Sequence, residues 1–253
     1  DQANASKRNF LSCMSHNVRT PMNGIIGMLK IASDHLEDHI RVQDCLSKAS
    51  LSSHQLLSTL NEILDISQIE SGNFKLEAEA FCLSDLMREI SEAVLPDVRA
   101  KNLTLKINPM QVVHEEILGD RMRLQQMIMN ILWNSVNYTL VGGTLEISVT
   151  EHESSEHGCS SYNFVFRDSG IGIEEEFIQH IFEPFSRADD PNVSRIDGVG
   201  LGMTIAQNIA RMMGGTISVK SRFGEGSQIT VTVILRLQAS SEISDSLPSE
   251  TSD

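Results

Sequence analysis

The sequence predicts an α+β protein in which an N-terminal helical hairpin pairs with a second copy of itself as a dimeric four-helix bundle, followed by an α/β sandwich with a mixed sheet. Three observations carry this. Apolar residues recur at helical spacing through the first seventy residues. From Asn73 onward, period two mixes with period 3.6. Glycine-rich runs then follow a predicted strand or open a predicted helix.

In the first helix the apolar stripe is Leu11, Met14, Val18, Met22, Ile25, Leu29, Ala32 and Leu36. The polar stretch Glu37 to Arg41 breaks it. A second stripe, Leu46, Ala49, Leu56, Leu60, Ile63 and Leu64, ends near Ser71-Gly72, where glycine suits a helix stop. Two helices with one stripe each enclose a core poorly, so the hairpin is expected to homodimerise. Residues 1–72 form this unit. In 73–238, strands are expected at Phe74 to Phe81, Leu103 to Ile107, Thr144 to Thr150, Asn163 to Arg167, Thr216 to Ser221 and Gln228 to Leu235. Helices are expected at Leu83 to Arg99, Arg121 to Tyr138 and Thr204 to Met213. Residues 239–253 hold six Ser and four acids with no base, the composition of a disordered acidic linker.

Composition bounds the function. The chain has 253 residues, 40% hydrophobic and 21% charged, enough to bury a core. With 20 Lys and Arg against 34 Asp and Glu, the net charge of −14 disfavours nucleic acid as a partner. No apolar run approaches the roughly 18 residues that cross a bilayer, so this fragment is not expected to be membrane-embedded. Its four cysteines form no C-x-x-C pair, which fits free thiols in a cytoplasmic setting. A chain that opens on Asp1 reads as an excised piece, the cytoplasmic part of a membrane-anchored parent being one such source.

His16 lies two residues from both Met14 and Val18, nearly opposite the stripe, and Pro21 removes the N–H that would bond the carbonyl of Asn17. The expectation is a solvent-facing imidazole beside a bend, able to act as a nucleophile near neutral pH. An ordinary surface histidine fits the same geometry. The run Ser15-His16-Asn17-Val18-Arg19-Thr20-Pro21-Met22-Asn23-Gly24 resembles the phosphoacceptor motif of sensor histidine kinases, specifically the hybrid type that relays phosphate to a receiver aspartate. The resemblance implies that His16 is phosphorylated and that Thr20 helps orient water when the receiver is dephosphorylated. Asn17 stands where the family usually has Glu or Asp.

Asn130, Asn134 and Asn137 fall at i, i+4 and i+7 of one predicted helix, aligning three amides. A carboxamide offers oxygen to Mg²⁺ without adding charge that repels a triphosphate. A solvated helix edge is the bland alternative. The run resembles the family's N box, which makes Asn130 and Asn134 the metal and phosphate asparagines, with Asn137 in place of the usual Lys. Asp168-Ser169-Gly170-Ile171-Gly172 is by itself a weak turn signal; it resembles the G1 box, implying that Asp168 accepts from the adenine amino group. Ile181 to Phe185 resembles the F box, whose aromatics are expected to pack under a loop. Gly198-Val199-Gly200-Leu201-Gly202 resembles the G2 box and opens a helix whose free N–H groups suit phosphate. Gly224 to Ser227 matches the last glycine motif, expected as a turn. Between them, 186–197 reads as a lid, with Arg187 expected by family position to meet the γ-phosphate, or else to face solvent.

Other signals are discounted. His152 and His157 are five apart and cannot share a helix face; His35 and His39 sit at the hairpin tip. No G-x-x-x-x-G-K-[ST] loop occurs, which excludes P-loop use of ATP. The resemblance implies an ATP- and Mg²⁺-dependent histidine autokinase that forms a homodimer and passes phosphate to a response-regulator receiver. A binding module acting mainly as phosphatase or scaffold is the rival reading, and a gyrase-type ATPase a further one.

Overall fold

The computed structural model describes residues 2–186 and 200–238; within the first helix, the side chains of residues 2–13 and of His16 lie outside the description. Two long antiparallel helices open the chain, α1 (Gln2–Asp34) and α2 (His39–Glu70). Asp38 caps α2 by accepting from the Arg41 N–H at 3.1 Å. The helix stops where the sequence puts its glycine: Gly72 has φ 69°, and the N–H groups of Gly72 and Asn73 turn back to the carbonyls of Ile69 and Gln68. α1 runs on through Pro21. The helices approach closely at Gly24, where a Cβ would lie 3.3 Å from the Ser52 hydroxyl. Much of the predicted stripe stays uncovered within one chain, with Met22, Leu29, Leu46, Leu60 and Leu64 all exposed.

The second unit is a two-layer sandwich. Its seven strands are β1 (Glu79–Cys82), β2 (Thr104–Ile107), β3 (Glu116–Gly119), β4 (Thr144–Glu153), β5 (Cys159–Asp168), β6 (Thr216–Arg222) and β7 (Gly226–Leu237). They order as β1-β3-β7-β5-β4-β2, with β6 pairing the first half of β7. Among the described strands only β2 and β4 pair in parallel, so the sheet is mixed as expected. Alternation puts one face inward: Leu145, Ile147 and Val149 of β4, Tyr162, Phe164 and Phe166 of β5, and Ile229, Val231, Val233 and Leu235 of β7 are buried. Helices α3 (Leu83–Ala100), α4 (Arg121–Tyr138) and α6 (Gly202–Met212) cover that face, through Leu86 and Ile90, Leu124, Ile128 and Ile131, and Ile205 and Ile209. A one-turn helix, α5 (Glu175–Ile178), stands outside this layer.

α4 matches its predicted limits. Its N-cap Asp120 accepts from the Arg123 N–H at 2.9 Å, and its apolar spacing is that of a helix with one buried face. The expected strand at Phe74 to Phe81 shrinks to β1, Glu79–Cys82. Phe74 is buried in the core instead, and the Glu77 N–H is spent on Asp120 rather than a ladder. The sequence pattern does not predict β3. Four residues between loops give too little pattern, and pairing with β1 and β7 is what makes them a strand.

Candidate active site

α4 is the spine of the site. On its exposed side Asn130, Asn134 and Asn137 are all half-buried. The Asn130 amide donates to the Gly202 carbonyl at 3.1 Å, which seats it at the N-terminal end of α6. A Cβ on Gly202 would lie 3.5 Å from the Asn130 side chain, an ordinary contact distance, so the two residues are packed side by side. The last residue of the helix, Tyr138, receives the Ile171 N–H on its carbonyl at 3.1 Å. From Asn130 to Tyr138 is eight residues, about 12 Å of helix. One helix therefore aligns the G1-like loop and the G2-like turn about a nucleotide's length apart.

The G1-like loop, 168–172, is packed backbone to backbone. Asp168 ends β5, where its Oδ1 accepts the Gly170 N–H at 2.9 Å. Burial pushes this carboxyl above its ordinary pKa, and the bonds from the Gly170 and Ser227 amides pull it down. Gly170 has no room for a side chain, since a Cβ would come within 2.5 Å of the Tyr138 carbonyl oxygen and 2.8 Å of Asp168 Oδ1. Gly172 (φ 70°) would drive a Cβ into the Arg222 carbonyl, and Gly226 (φ 99°) into that of Asp168. The last glycine motif is thus more than a turn; it is the wall behind Asp168. Ser169 closes the loop by accepting the Thr144 N–H on its hydroxyl at 2.8 Å.

Phe182 and Phe185 of the F-box-like run are partly buried against the main core, in keeping with a packing role. The Phe185 N–H donates to the Gly200 carbonyl at 2.9 Å, and both residues have positive φ, 63° and 77°. The Thr204 hydroxyl donates to the Phe182 carbonyl at 2.9 Å. These bonds join the two flanks of segment 187–199. Arg187, Arg195 and Gly198 lie outside the described residues, as does most of the expected lid. The His16 side chain does too; its backbone lies in α1, between Met14 and Val18, which are partly buried against the core. Asn17 is half-buried and Thr20 exposed.

Asn130 spends its Nδ2 on Gly202, leaving Oδ1 to accept. Asn134 follows one turn on, so this face carries two neutral carboxamides, a donor type that fits a hard cation shared with phosphate. Among the described residues no three His, Cys, Asp or Glu side chains cluster as metal ligands, His35, His39, His152 and His157 included. A separate cavity of about 330 Å³ lies between Ile69, Phe74 and the last turn of α6, and none of the nucleotide candidates lines it.

One supporting residue escaped the sequence. Lys101, following α3, sends its Nζ to the carbonyls of Val136 and Asn137 at 2.8 Å and of Thr139 at 3.3 Å. It caps the end of α4 that carries the G1 contact. A lone lysine in a polar turn gives no signal of such a role.

Residues 119–237 match the histidine kinase-, DNA gyrase B-, and HSP90-like ATPase family, and residues 6–72 match the His Kinase A (phospho-acceptor) domain. The chain is 33% identical over 237 residues to the autoinducer 2 sensor kinase/phosphatase LuxQ of Vibrio vulnificus, covering 92% of this chain and 27% of that protein. It is 34% identical over 234 residues to the sensor protein GacS of Pseudomonas syringae, covering 92% and 26%. The chain spans about a quarter of the length of these relatives. Its fold is that of full-length ShkA, solved in complex with AMPPNP, with TM-score 0.66 and 23% identity over 91% of this chain and 46% of that one.

Proposed function

This chain belongs to the sensor histidine kinase family, and on that premise we propose that it transfers the γ-phosphoryl group of ATP to a ring nitrogen of His16 and passes it to a receiver-domain aspartate outside the chain. The observation that carries the reading is the placement of α4, with Asn130 at Gly202 and the Tyr138 carbonyl at the G1-like loop. Adenine lies at Asp168, which accepts from its amino group, and the triphosphate runs toward Asn130 and the start of α6, whose free N–H groups favour anions. Asn130 and Asn134 would hold Mg²⁺, which supplies neutralisation of phosphate charge. Asn137 lines the same face. Gly170, Gly172, Gly200 and Gly202 allow backbone to approach the nucleotide, and Gly198 and Arg187 complete the phosphate end.

In the transfer, the bond from Pγ to the bridging oxygen breaks, ADP departs, and a P–N bond forms at His16. The imidazole proton must leave. Asn17 accepts a hydrogen bond but is no base near neutral pH, so the proton passes to water or another group, and labelling is slow for want of help worth roughly 10²–10⁴ in rate. Thr20 orients water in the reverse, dephosphorylating direction. Residues 1–72 act as dimerisation and phosphoacceptor unit, the exposed Met22, Leu29, Leu46 and Leu64 being covered by a second copy; 73–238 bind nucleotide; 239–253 serve as a tether toward the receiver. No described helix is long and apolar enough to cross a membrane. We place the fragment in the cytoplasm, within a longer sensor.

Asn17 and Asn137 favour a second reading, in which the chain binds ATP and dimerises but acts mainly as phosphatase or scaffold. Incubation with Mg·[γ-³²P]ATP separates the two. The kinase reading expects a label that survives base, is lost in acid and is absent from His16→Gln. Nucleotide binding with no label supports the scaffold. Phosphate release with no phosphoprotein would support a gyrase-type ATPase, which the phospho-acceptor match over 6–72 argues against.

A further inference from the structure

The hairpin, the connecting segment and the nucleotide domain meet at one side chain. Arg123, in the first turn of α4, donates from its guanidinium to Asp65 Oδ1 of α2 and to Gln126 Oε1, each at 2.8 Å, and Gln126 donates back to Asp65 Oδ2 at 2.6 Å. The triangle is closed, and Asp65 is buried although charged. The same guanidinium stacks 4.3 Å from the ring centroid of Phe74, in the segment that leaves α2. Three residues on, the Glu77 N–H donates to Asp120 Oδ2 at 2.9 Å, while the other oxygen of Asp120 caps α4 through the Arg123 N–H. The connection between the two units is therefore bonded to the helix that bears Asn130, not left as a free tether.

We propose that Arg123, held by Asp65 and Gln126, is a positioning residue that fixes the angle at which the nucleotide helix is presented to the phosphoacceptor helix. The inference rests on the reading that His16 receives the γ-phosphoryl group. Arg123 stands about two turns before Asn130 on a single helix, so a tilt at the clamp displaces the phosphate end while the nucleotide pocket stays whole. Rate is sensitive to such displacement, and affinity for nucleotide is not.

The test uses the whole chain with Arg123→Met, Asp65→Asn and the double substitution, in two arms. In the first, His16 labelling at saturating Mg·ATP is expected to slow about tenfold in each single variant, with the KM for ATP within about twofold of the parent. The double variant should slow about tenfold, not a hundredfold, because both changes break one unit. An unchanged rate, a multiplicative double effect, or a raised KM with the rate constant held would overturn the inference. In the second arm, hydrogen exchange of the amides of 74–77 should quicken about tenfold in Arg123→Met while the amides of α6 keep their protection. Equal exchange at 74–77 overturns the clamp. If the parent chain takes no label at all, it is the phosphoacceptor reading that fails, and the exchange arm still decides whether Arg123 holds the junction.

Discussion

Replacing Lys101 by Met keeps the length of the stem and removes the charge from the end of α4. The structure sets the size of the effect. Lys101 Nζ makes two bonds of 2.8 Å and one of 3.3 Å to carbonyls that the helix itself cannot satisfy. A hydrogen bond from a charged donor is worth about 1.5–3 kcal/mol, and three would overstate the loss because the residue is only half-buried and water replaces part of it. Burial also holds this ammonium below its ordinary lysine pKa, an opposing cost that the substitution relieves. The balance is a loss of about 2 kcal/mol, or a fall in Tm of about 4–8 °C for a domain of this size. Because the Tyr138 carbonyl, one residue before Thr139, receives the Ile171 N–H, the G1-like loop loosens with the helix end. ATP should bind several-fold more weakly. Calorimetric unfolding and nucleotide titration read both effects, and a Tm within 1 °C of the parent, that margin taken as roughly a quarter of the smallest expected shift, would refute the capping role.

The other predictions concern base selection, proton transfer and pH. Asp168→Asn keeps an oxygen for the Gly170 N–H but donates where the adenine amino group needs an acceptor; ATP affinity should drop about 10- to 100-fold while GTP changes little, and equal losses for both nucleotides would contradict the assignment. Asn17→Asp restores a carboxylate beside His16, and the initial rate of labelling should rise about 10²-fold; no rise removes the general-base argument. Burial, with Asp65 adding to it and the Ser58 hydroxyl opposing, pushes the Glu62 carboxyl from 4.5 up to about 7. Its folded pKa exceeds its unfolded one, so the folded state holds the extra proton. Stability is then full below about pH 4.5 and falls by up to about 1.4 kcal/mol per unit as pH rises to about 7. Denaturation midpoints at pH 5 and pH 7.5 should differ in the parent and converge in Glu62→Gln.

The helices were the most legible part. α4 is legible in its helical apolar spacing and its aligned asparagines, and Gly72 marks the end of α2, whereas the Asp120 cap emerges only in the structure. These are local signals. β3 and the shortened β1 depend on partners distant in sequence, and the residues 74–78 are shaped by Arg123 and Asp120 rather than by their own pattern. The glycines showed that backbone must approach something, but not that Gly226 walls Asp168 or that Gly170 presses on Tyr138. Lys101, Asp65 and Arg123 were illegible for the same reason. A charged side chain reports its partner only when the fold brings the two together.

We propose the face of α4 between Gly202 and the G1-like loop as the nucleotide cleft. Titration of the purified chain with ATP in the presence of Mg²⁺, read by heat release, tests this directly, alongside Asn130→Ala. The expected result is saturable binding of one nucleotide per chain, weakened at least about tenfold in the variant, as loss of a group that meets charged phosphate should do. Absence of saturable binding by the parent, or equal affinity in Asn130→Ala, would contradict it.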